Sequence, residues 1–267
     1  MRDYGPARAG ARRRDWVVVE EPLEIRVSGD PFAVTMRTPG HDHELGAGLL
    51  LSEGLIRSAS DLGAIRHCRD KQDDPNNVID IAPAPGALFD LDSAERGAPY
   101  LRSSSCGLCG RVQIDELFAR VKPISADFTL ERSLIHDKTN ELRQAQPNFS
   151  ATGGVHAAGV IDDAGDWLVV REDVGRHNAV DKVFGRLLLD GILPSGNGGR
   201  WPRALVVSGR VSFEIVQKAL TAGVAVVIGV SAPSSLAVET ARRAKMTLVA
   251  FSRNDSFNVY SGHHRLG

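Results

Sequence analysis

Residues 204–251 read ALVVSGRVSFEIVQKALTAGVAVVIGVSAPSSLAVETARRAKMTLVAF, and they carry the clearest pattern of secondary structure in the chain. Three short apolar runs have the length of buried strands, at residues 204–207, 224–228 and 247–251. Two stretches with apolar residues at helical spacing separate these runs, at residues 212–222 and 234–244. Alternating strands and helices build parallel strands covered by helices, so the sequence predicts an α/β fold.

The predicted α/β region also includes residues 130–191, which precede this stretch. A helix is predicted at residues 130–145, and strands at 155–161 and 167–171 enclose a polar turn, which predicts a hairpin. The next predicted helix covers residues 177–190 and ends at Gly191. Its apolar residues recur at helical spacing and predict one buried stripe: Val180, Val183, Phe184, Leu187 and Leu188.

The first half of the chain carries mixed signals. Extended runs occur at residues 16–20, 23–27 and 32–37, a helix is predicted at 43–51, and a strand at 78–81 lies within a segment rich in turn residues. We therefore expect three parts: a disordered basic arm at residues 1–14, an α+β domain at 15–124, and an α/β domain at 125–267.

Composition limits the classes of function. The chain has 267 residues, of which 42% are hydrophobic and 24% charged, as in a soluble globular protein. Its 32 basic residues nearly balance 33 acidic ones, so no overall field attracts nucleic acid or an anionic membrane. No run reaches the about 18 apolar residues of a membrane span. Three cysteines are too few for a disulfide framework, which favours a cytoplasmic location.

A pair of cysteines is the strongest chemical signal. Residues 103–110 read SSSCGLCG and place Cys106 and Cys109 in C-x-x-C spacing. Arg102 and Arg111 flank the pair, and this positive charge favours the thiolate that attacks sulfur. The glycines leave the loop mobile enough to reach another active site. The motif therefore favours an exposed nucleophile that relays sulfur.

Three alternatives compete for the same cysteines. A thioredoxin-like oxidoreductase would place the pair at a helix start directly after an apolar strand, which residues 97–105 do not provide. A structural zinc site needs a second pair of ligands, for which only Cys68 and scattered histidines are available. A buried structural pair would prefer apolar surroundings.

Three loops are expected at one edge of the predicted sheet. Residues 172–178 (EDVGRHN), 208–212 (SGRVS) and 229–235 (GVSAPSS) each follow a strand and lead towards a helix. Ligands bind at the carboxyl ends of such strands, where helix N-termini offer free N–H groups. Ordinary turns explain each loop singly, but their coincidence favours an anion-binding edge. Walker and G-x-G-x-x-G motifs are absent from the sequence, so a nucleotide would have to use these other loops.

Polar residues also bracket the predicted hairpin. Residues 152–156 (TGGVH) precede it, and Glu172, Asp173, Arg176 and His177 follow it. A single histidine at the end of a strand or helix usually bonds a backbone carbonyl, so neither His156 nor His177 is predicted to be catalytic.

Two further polar segments are weaker signals. His41-Asp42-His43 resembles half a metal site, but successive strand positions or a helix start capped by Asp42 explain it better, and we predict no metal site. Residues 251–260 (FSRNDSFNVY) follow the last strand at the same edge. Arg253 is suited to phosphate or guanine, and Asn254 and Asp255 to an amide or amino edge, although the segment alone is typical of a polar turn.

Together these segments resemble the formate dehydrogenase accessory sulfurtransferases, the FdhD family. The matching blocks run from residue 103 to residue 260: SSSCGLCG, TGGVHAA, REDVGRHNAVDKVFG, LVVSGRVSFEIVQKA, GVSAPSSLAVETA and FSRNDSFNVY. The resemblance implies a sulfurtransferase that takes persulfide sulfur from a cysteine desulfurase. It would pass that sulfur to the bis(molybdopterin guanine dinucleotide) molybdenum cofactor needed by formate dehydrogenase.

The resemblance also assigns residues and partners. It places the persulfide on Cys106 and a supporting role on Cys109. It places binding of the cofactor, with its GDP-like guanine nucleotide moiety, on one stretch: Phe251, Ser252, Arg253, Asn254, Asp255 and Ser256. It implies a cysteine desulfurase, formate dehydrogenase and a second copy of the chain as partners.

The fold implied by the family is a C-terminal cytidine-deaminase-like, three-layer α/β/α domain with a smaller N-terminal α+β domain. The sequence lacks the H-x-E and P-C-x-x-C motifs of zinc deaminases, so that chemistry is not supported. Two alternatives remain: a guanine-nucleotide cofactor chaperone without sulfur chemistry, and a zinc-dependent hydrolase on a similar scaffold.

Overall fold

The protein is a mixed α/β structure built around two sheets. The computed structural model of the chain describes residues 2–3, 11–12, 15–68, 76–87, 89, 110–194, 200–253 and 256–267. Twelve strands lie in these ranges: β1 (Arg2–Asp3), β2 (Ala11–Arg12), β3 (Glu21–Val27), β4 (Asp30–Arg37), β5 (Leu62–His67), β6 (Val78–Pro83), β7 (His156–Ile161), β8 (Trp167–Asp173), β9 (Ala204–Val207), β10 (Val226–Gly229), β11 (Thr247–Arg253) and β12 (Ser256–Ser261).

Seven α-helices lie in the same ranges: α1 (Asp42–Ser52), α2 (Gly110–Arg120), α3 (Arg132–Gln144), α4 (Pro147–Thr152), α5 (Arg176–Leu189), α6 (Phe213–Thr221) and α7 (Ser235–Arg243). The helices predicted in the second half correspond to α3, α5, α6 and α7, with ends that differ by one or two residues. The predicted apolar stripe of α5 is buried at all five positions. Its helical spacing is therefore confirmed.

The larger sheet has six strands in the order β12-β11-β10-β9-β7-β8. Strands β9, β10 and β11 are parallel, as predicted, while β7 runs antiparallel to both β8 and β9. The predicted hairpin of β7 and β8 is confirmed. The expectation of a polar turn across residues 251–260 is wrong, because β11 continues to Arg253 and β12 pairs with it antiparallel.

Helices cover both faces of this sheet. Leu205 and Val207 of β9 pack in one cluster with apolar residues of α5, α6 and α7. The alternate residues Ala204 and Val206 pack in a second cluster with Ile135 of α3. Successive side chains of a strand point to opposite faces, so each apolar strand contributes to both clusters. This explains why these strands read as continuous apolar runs.

The smaller sheet has four strands in the order β4-β3-β6-β5. The predicted extended runs at 23–27 and 32–37 correspond to β3 and β4, and the run at 78–81 to β6. The run at 16–20 is not a strand, and β5 was not predicted. In the arm predicted to be disordered, β1 pairs with β2. The other residues of that arm lie outside the described ranges, so the prediction for it stays a prediction.

Helices α1 and α5 cross with almost no space between their backbones. A Cβ atom on Gly48 of α1 would overlap the carbonyl group of Asp181, and one on Gly185 of α5 would overlap that of Glu44. Residues of β3 and α1 belong to the same buried cluster as residues of α5 and β9. The four-stranded sheet and the six-stranded sheet therefore share a core, and the predicted domain boundary at residue 124 stays a prediction.

Candidate functional site

The three predicted loops meet at one edge of the six-stranded sheet, and backbone hydrogen bonds join two of them to each other and to β11. The Val211 N–H donates to the Ala232 carbonyl (3.1 Å), and the Ser234 N–H donates to the Val211 carbonyl (2.9 Å). The Phe251 N–H donates to the Ser231 carbonyl (3.2 Å). These bonds connect the loops after β9 and β10 with the end of β11, so this part of the edge is a pre-formed surface.

Four side chains with cationic or imidazole groups gather around Gly209. A Cβ atom at Gly209 would lie 3.3 Å from His156 Nδ1 and 3.7 Å from Arg176 Cβ. His177 Nε2 lies 3.2 Å from Ser212 Oγ. Arg210 belongs to the same loop and acts electrostatically on His156. We call His156, Arg176, His177 and Arg210 the edge cluster.

The histidines of the edge cluster are neutral at pH 7. Burial, followed by the charges of Arg176 and Arg210, lowers the pKa of His156 below its ordinary value. Burial, with Arg176 and Lys218 adding to it, lowers the pKa of His177 to about 4. The positive charge of the edge cluster therefore resides on the two guanidinium groups.

Glu172 and Asp173 are close in sequence to Arg176 and His177, and the carboxylates of both stabilise the fold. The Glu172 carboxylate accepts the backbone N–H groups of Asn148 (3.0 Å) and Phe149 (2.9 Å) at the start of α4. Asp173 is fully buried and pairs with Lys182 Nζ at 2.7 Å. It also accepts the Gly175 N–H at 2.8 Å, which fixes the turn that leads into α5.

A second buried ion pair was missed by sequence reasoning. Lys218 Nζ of α6 lies 2.7 and 2.8 Å from the two carboxylate oxygens of Asp181 in α5. Ser52 Oγ of α1 donates to the same carboxylate at 2.8 Å. Burial raises the pKa of Asp181, while Lys218 opposes that change. The network joins three helices behind the edge cluster.

The stretch predicted to bind the cofactor lies at the end of β11. Phe251 adopts a positive φ of 54° and is partly exposed. The Arg253 guanidinium lies 5.9 Å from the centre of the Phe251 ring, and Ser256 Oγ donates to the Arg253 carbonyl. The hydroxyl of Ser252 is buried 3.3 Å from Thr139 Oγ1 of α3. Asn254 and Asp255 lie outside the described residues, and the binding role of the stretch stays a prediction.

The sequence matches the FdhD/NarQ family over residues 18–267. The chain belongs to the FdhD/NarQ family. A "Sulfur carrier protein FdhD" from Anaeromyxobacter dehalogenans is 46% identical over 263 residues, covering 97% of this chain and 91% of the relative. Another of that name from Corynebacterium efficiens is 48% identical over 261 residues, covering 94% and 90%.

A solved structure supports the same assignment. The crystal structure of a putative formate dehydrogenase accessory protein from Desulfotalea psychrophila superposes with a TM-score of 0.72 at 27% identity. The match covers 95% of this chain and 91% of that protein. The resemblance inferred from the sequence blocks is confirmed.

The cysteine pair of this FdhD/NarQ member lies outside the described residues, as do all of residues 90–109. The described chain resumes at Gly110, the first residue of α2. Asp115 of α2 bonds Arg243 of α7 at 2.5 Å. The helix that follows the cysteines is thus joined by an ion pair to the C-terminal end of α7. The catalytic roles of Cys106 and Cys109 stay predictions.

The prediction that Asp42 caps a helix is wrong. Asp42 is the first residue of α1, and its two carboxylate oxygens bond Arg37 at 3.0 and 3.1 Å. The N-cap position is His41, with φ 60°. Within the described ranges, no group of three histidine, cysteine, aspartate or glutamate residues is placed to hold a metal. No helix in those ranges is long and apolar enough to span a membrane.

Proposed function

We propose that this protein is a sulfurtransferase that carries sulfur to the bis(molybdopterin guanine dinucleotide) molybdenum cofactor of formate dehydrogenase. One observation carries the proposal: the family match extends over residues 18–267 and includes the cysteine pair between Arg102 and Arg111. Relatives 46% and 48% identical are named sulfur carrier proteins. A protein of similar structure is described as a formate dehydrogenase accessory protein.

The first step is the capture of sulfur. The Cys106 thiolate attacks the terminal sulfur of a persulfide on a cysteine desulfurase. A new bond forms between Cys106 Sγ and that sulfur, and the bond to the desulfurase cysteine breaks, so its sulfur leaves as a thiolate. The step needs no external oxidant or reductant, because a neutral sulfur atom moves from one cysteine thiolate to another. The two flanking arginines favour the anionic nucleophile.

The second step delivers the sulfur. The Cys109 thiolate attacks the inner sulfur of the Cys106 persulfide and forms a Cys106–Cys109 disulfide. The terminal sulfur leaves as hydrosulfide and becomes available to the cofactor. The two electrons come from the cysteine pair, so a cellular dithiol must reduce the disulfide before the next cycle. This assigns Cys109 the role of resolving thiol.

The loop edge is the proposed binding surface for the cofactor. Phe251 and Arg253 offer a ring and a guanidinium group to the guanine end at the end of β11. The Ser252 hydroxyl faces α3, so Ser252 would contribute through its backbone. The order β8-β7-β9-β10-β11, with helices on both faces, supports our proposal of a cytidine-deaminase-like three-layer domain.

The proposed partners are a cysteine desulfurase, formate dehydrogenase and a second copy of the chain. The desulfurase would donate the sulfur, and formate dehydrogenase would receive the cofactor. Light scattering of the purified protein measures the third, and a dimer mass is expected.

Substitution of the nucleophile tests the function. Cys106→Ala should reduce formate dehydrogenase activity to background in a strain that lacks the native protein. Cys68→Ser is the matched control, because Cys68 lies on a different segment, directly after β5, and should leave activity intact. Full activity with Cys106→Ala would overturn the sulfur relay and favour a nucleotide chaperone in which both cysteines are dispensable.

A further inference from the structure

An open groove runs along the exposed face of α7, beside β12. Its volume is about 710 Å³, and its residues on α7 are three or four positions apart, as on one face of a helix. Val238 and Tyr260 are its apolar residues, and both pack against the main core cluster while remaining partly exposed. We call it the α7 groove; it is lined by Ser235, Val238, Glu239, Arg242, Arg243 and Tyr260.

Cationic side chains gather at the C-terminal end of this groove. Arg242, Lys245 and Lys122 are exposed. The Ile124 N–H donates to the Ala244 carbonyl at 2.9 Å, which holds the segment that contains Lys122 against the end of α7. Among the residues that the structure describes, no carboxylate lies at salt-bridge distance from any of the three cations. Their charges are therefore available to a partner.

The other charged residues of the groove do not cancel this charge. Arg243 is paired with Asp115 of α2, and its guanidinium lies 4.4 Å from the centre of the Phe118 ring. Glu239 is exposed and contributes one negative charge. Three unpaired cations thus stand against one carboxylate, so the groove suits a partner that carries carboxylates around an apolar side chain.

Lys245 occupies a backbone position that favours glycine. Its φ is 56°, in the left-handed region where many helices end on glycine. A lysine there has a steric cost that glycine would avoid. The Lys245 carbonyl accepts a hydrogen bond from Arg265 Nη1 at 2.7 Å, a backbone contact that glycine would also make. What the lysine adds at this position is therefore its charge.

The α7 groove lies close to the cysteine pair along the chain. Helix α2 begins at Gly110, directly after Cys109, and its residue Asp115 is paired with Arg243 of the groove. Gly110 and Asp115 are separated by about 8 Å along the helix axis. The chain from Cys106 to Gly110 spans at most about 14 Å. An interface of about 800 Å² per partner, roughly 30 Å across, can therefore include both the groove and the cysteines.

The cationic end of the groove lies away from the proposed cofactor surface. Helix α7 starts at Ser235, beside the loop after β10 that belongs to the loop edge. The cations lie at its other end, about 13 Å along the helix axis. A protein that receives the cofactor must contact the loop edge, whereas a protein that donates sulfur needs access to the cysteines. The cationic end therefore suits the sulfur donor.

We propose that the α7 groove is the docking surface for the cysteine desulfurase. The desulfurase would place an apolar side chain against Val238 and Tyr260 and carboxylates against Arg242, Lys245 and Lys122. Complementary charges at the edge of an interface speed association and fix its orientation. This inference rests on the proposed sulfur relay and names the surface by which the sulfur donor is recognised.

Two sulfur donors of different size separate docking from chemistry. A cysteine desulfurase supplied with cysteine needs the docking surface, whereas glutathione persulfide is too small to use it. Mass spectrometry follows the sulfur that the Cys106 peptide gains from each donor. In the double variant Arg242→Glu, Lys245→Gly the initial rate from the desulfurase should fall by about 10-fold to 100-fold, while the rate from glutathione persulfide is unchanged. Biolayer interferometry should show that the wild-type chain binds the desulfurase more weakly as salt is raised, and the double variant less so.

Arg143→Glu is the matched control for the charge reversal. Arg143 is also an exposed arginine in the last turn of a helix, but α3 packs on the opposite face of the six-stranded sheet from α7. Its rates from both donors should equal those of the wild type. Lys245→Gly alone removes a cation where the backbone favours glycine, so thermal unfolding should show no loss of stability while affinity for the desulfurase falls.

Each remaining outcome contradicts the docking surface in a recognisable way. A wild-type rate from the desulfurase in the double variant would overturn the inference and leave the sulfur relay intact. Unchanged desulfurase binding with lost binding of formate dehydrogenase would assign the groove to the acceptor instead. Slower transfer from both donors would show that the substitutions act on the cysteines or the fold rather than on docking. If the wild-type chain gains sulfur from neither donor, the proposed function itself fails, and the inference fails with it.

Discussion

The crossing of α1 and α5 predicts a large effect from a single added methyl group. In Gly48→Ala the new Cβ would lie 2.6 Å from the carbonyl carbon of Asp181 and closer still to its oxygen. Because real Cβ contacts essentially never fall below 3.0 Å, the two helices must separate. Separation strains the 2.8 Å hydrogen bond between Ser52 and Asp181, which lies at the same crossing.

Three contributions determine how much Gly48→Ala lowers the free energy of unfolding. Overpacking of a rigid core costs about 1–3 kcal/mol. Disruption of the buried hydrogen bond between Ser52 and Asp181 costs a further amount of about 1–3 kcal/mol. The gain in helix propensity from glycine to alanine offsets about 1 kcal/mol. We expect Gly48→Ala to lower the free energy of unfolding by about 3 kcal/mol, a large fraction of the stability of an ordinary domain.

Gly46→Ala, on the same helix, is the matched control. Its Cβ would lie closer than 3.0 Å to the Cδ1 atoms of Ile79 (2.7 Å) and Ile81 (2.9 Å), which are the flexible ends of side chains, and its next contact is Ile79 Cγ1 at 3.9 Å. Those methyl groups can rotate away, and the propensity gain remains, so the net change should stay below about 1 kcal/mol. Urea unfolding followed by circular dichroism measures both variants. Equal destabilisation by the two substitutions would refute the account of the crossing.

Three further predictions concern buried charge and metal content. The pKa of His177 is about 4 in the folded protein against 6.5 when unfolded, so its contribution to stability is present above pH 6.5 and is lost as the pH falls towards 4. Between pH 7.5 and pH 5 the wild-type chain should lose about 2 kcal/mol more than His177→Gln in urea titrations, and parallel curves would contradict this. Lys182→Met leaves buried Asp173 unpaired and should cost about 3–5 kcal/mol by the same assay, whereas exposed Lys122→Met should change little. Elemental analysis should find zinc well below one atom per chain. A stoichiometric amount would instead support the alternative of a zinc-dependent hydrolase.

Much of the six-stranded sheet could be predicted from sequence. Its inner strands are short apolar runs separated by helices with a clear apolar stripe, so periodicity locates both. The rule that ligands bind at carboxyl ends of strands also predicted that three loops would meet. Strands β5 and β12 were not predicted because they are partly exposed and interrupt their apolar residues with glycine or polar residues, as loops do.

The interior of the candidate site could not be predicted. Asp173, Asp181, Lys182 and Lys218 are charged residues that sequence patterns assign to a surface, yet each is buried in an ion pair. Only the tertiary structure brings their partners together. The neutral state of His177 likewise depends on burial and on Arg176, which no local pattern reveals.

These buried pairs explain why the block REDVGRHNAVDKVFG carries so many charged residues. Several of them fix the start of α5 and its contacts with α1 and α6 rather than contacting a ligand. Arg176 is the exception, since its Nε is buried without a partner among the described residues. Arg176 thus lies at the edge without a partner for its Nε, whereas Lys182 and Lys218 behind it are paired with carboxylates.

The sulfur relay is tested most directly by mass spectrometry. After incubation with a cysteine desulfurase and cysteine, the peptide that contains Cys106 should gain the mass of one sulfur atom, and a thiol reductant should remove it. Removal by the reductant distinguishes a persulfide from a sulfinic acid of nearly equal mass, which thiols do not reverse. Cys109→Ala should accumulate the adduct. A Cys106 peptide that stays unmodified while the desulfurase carries its own persulfide would contradict the account.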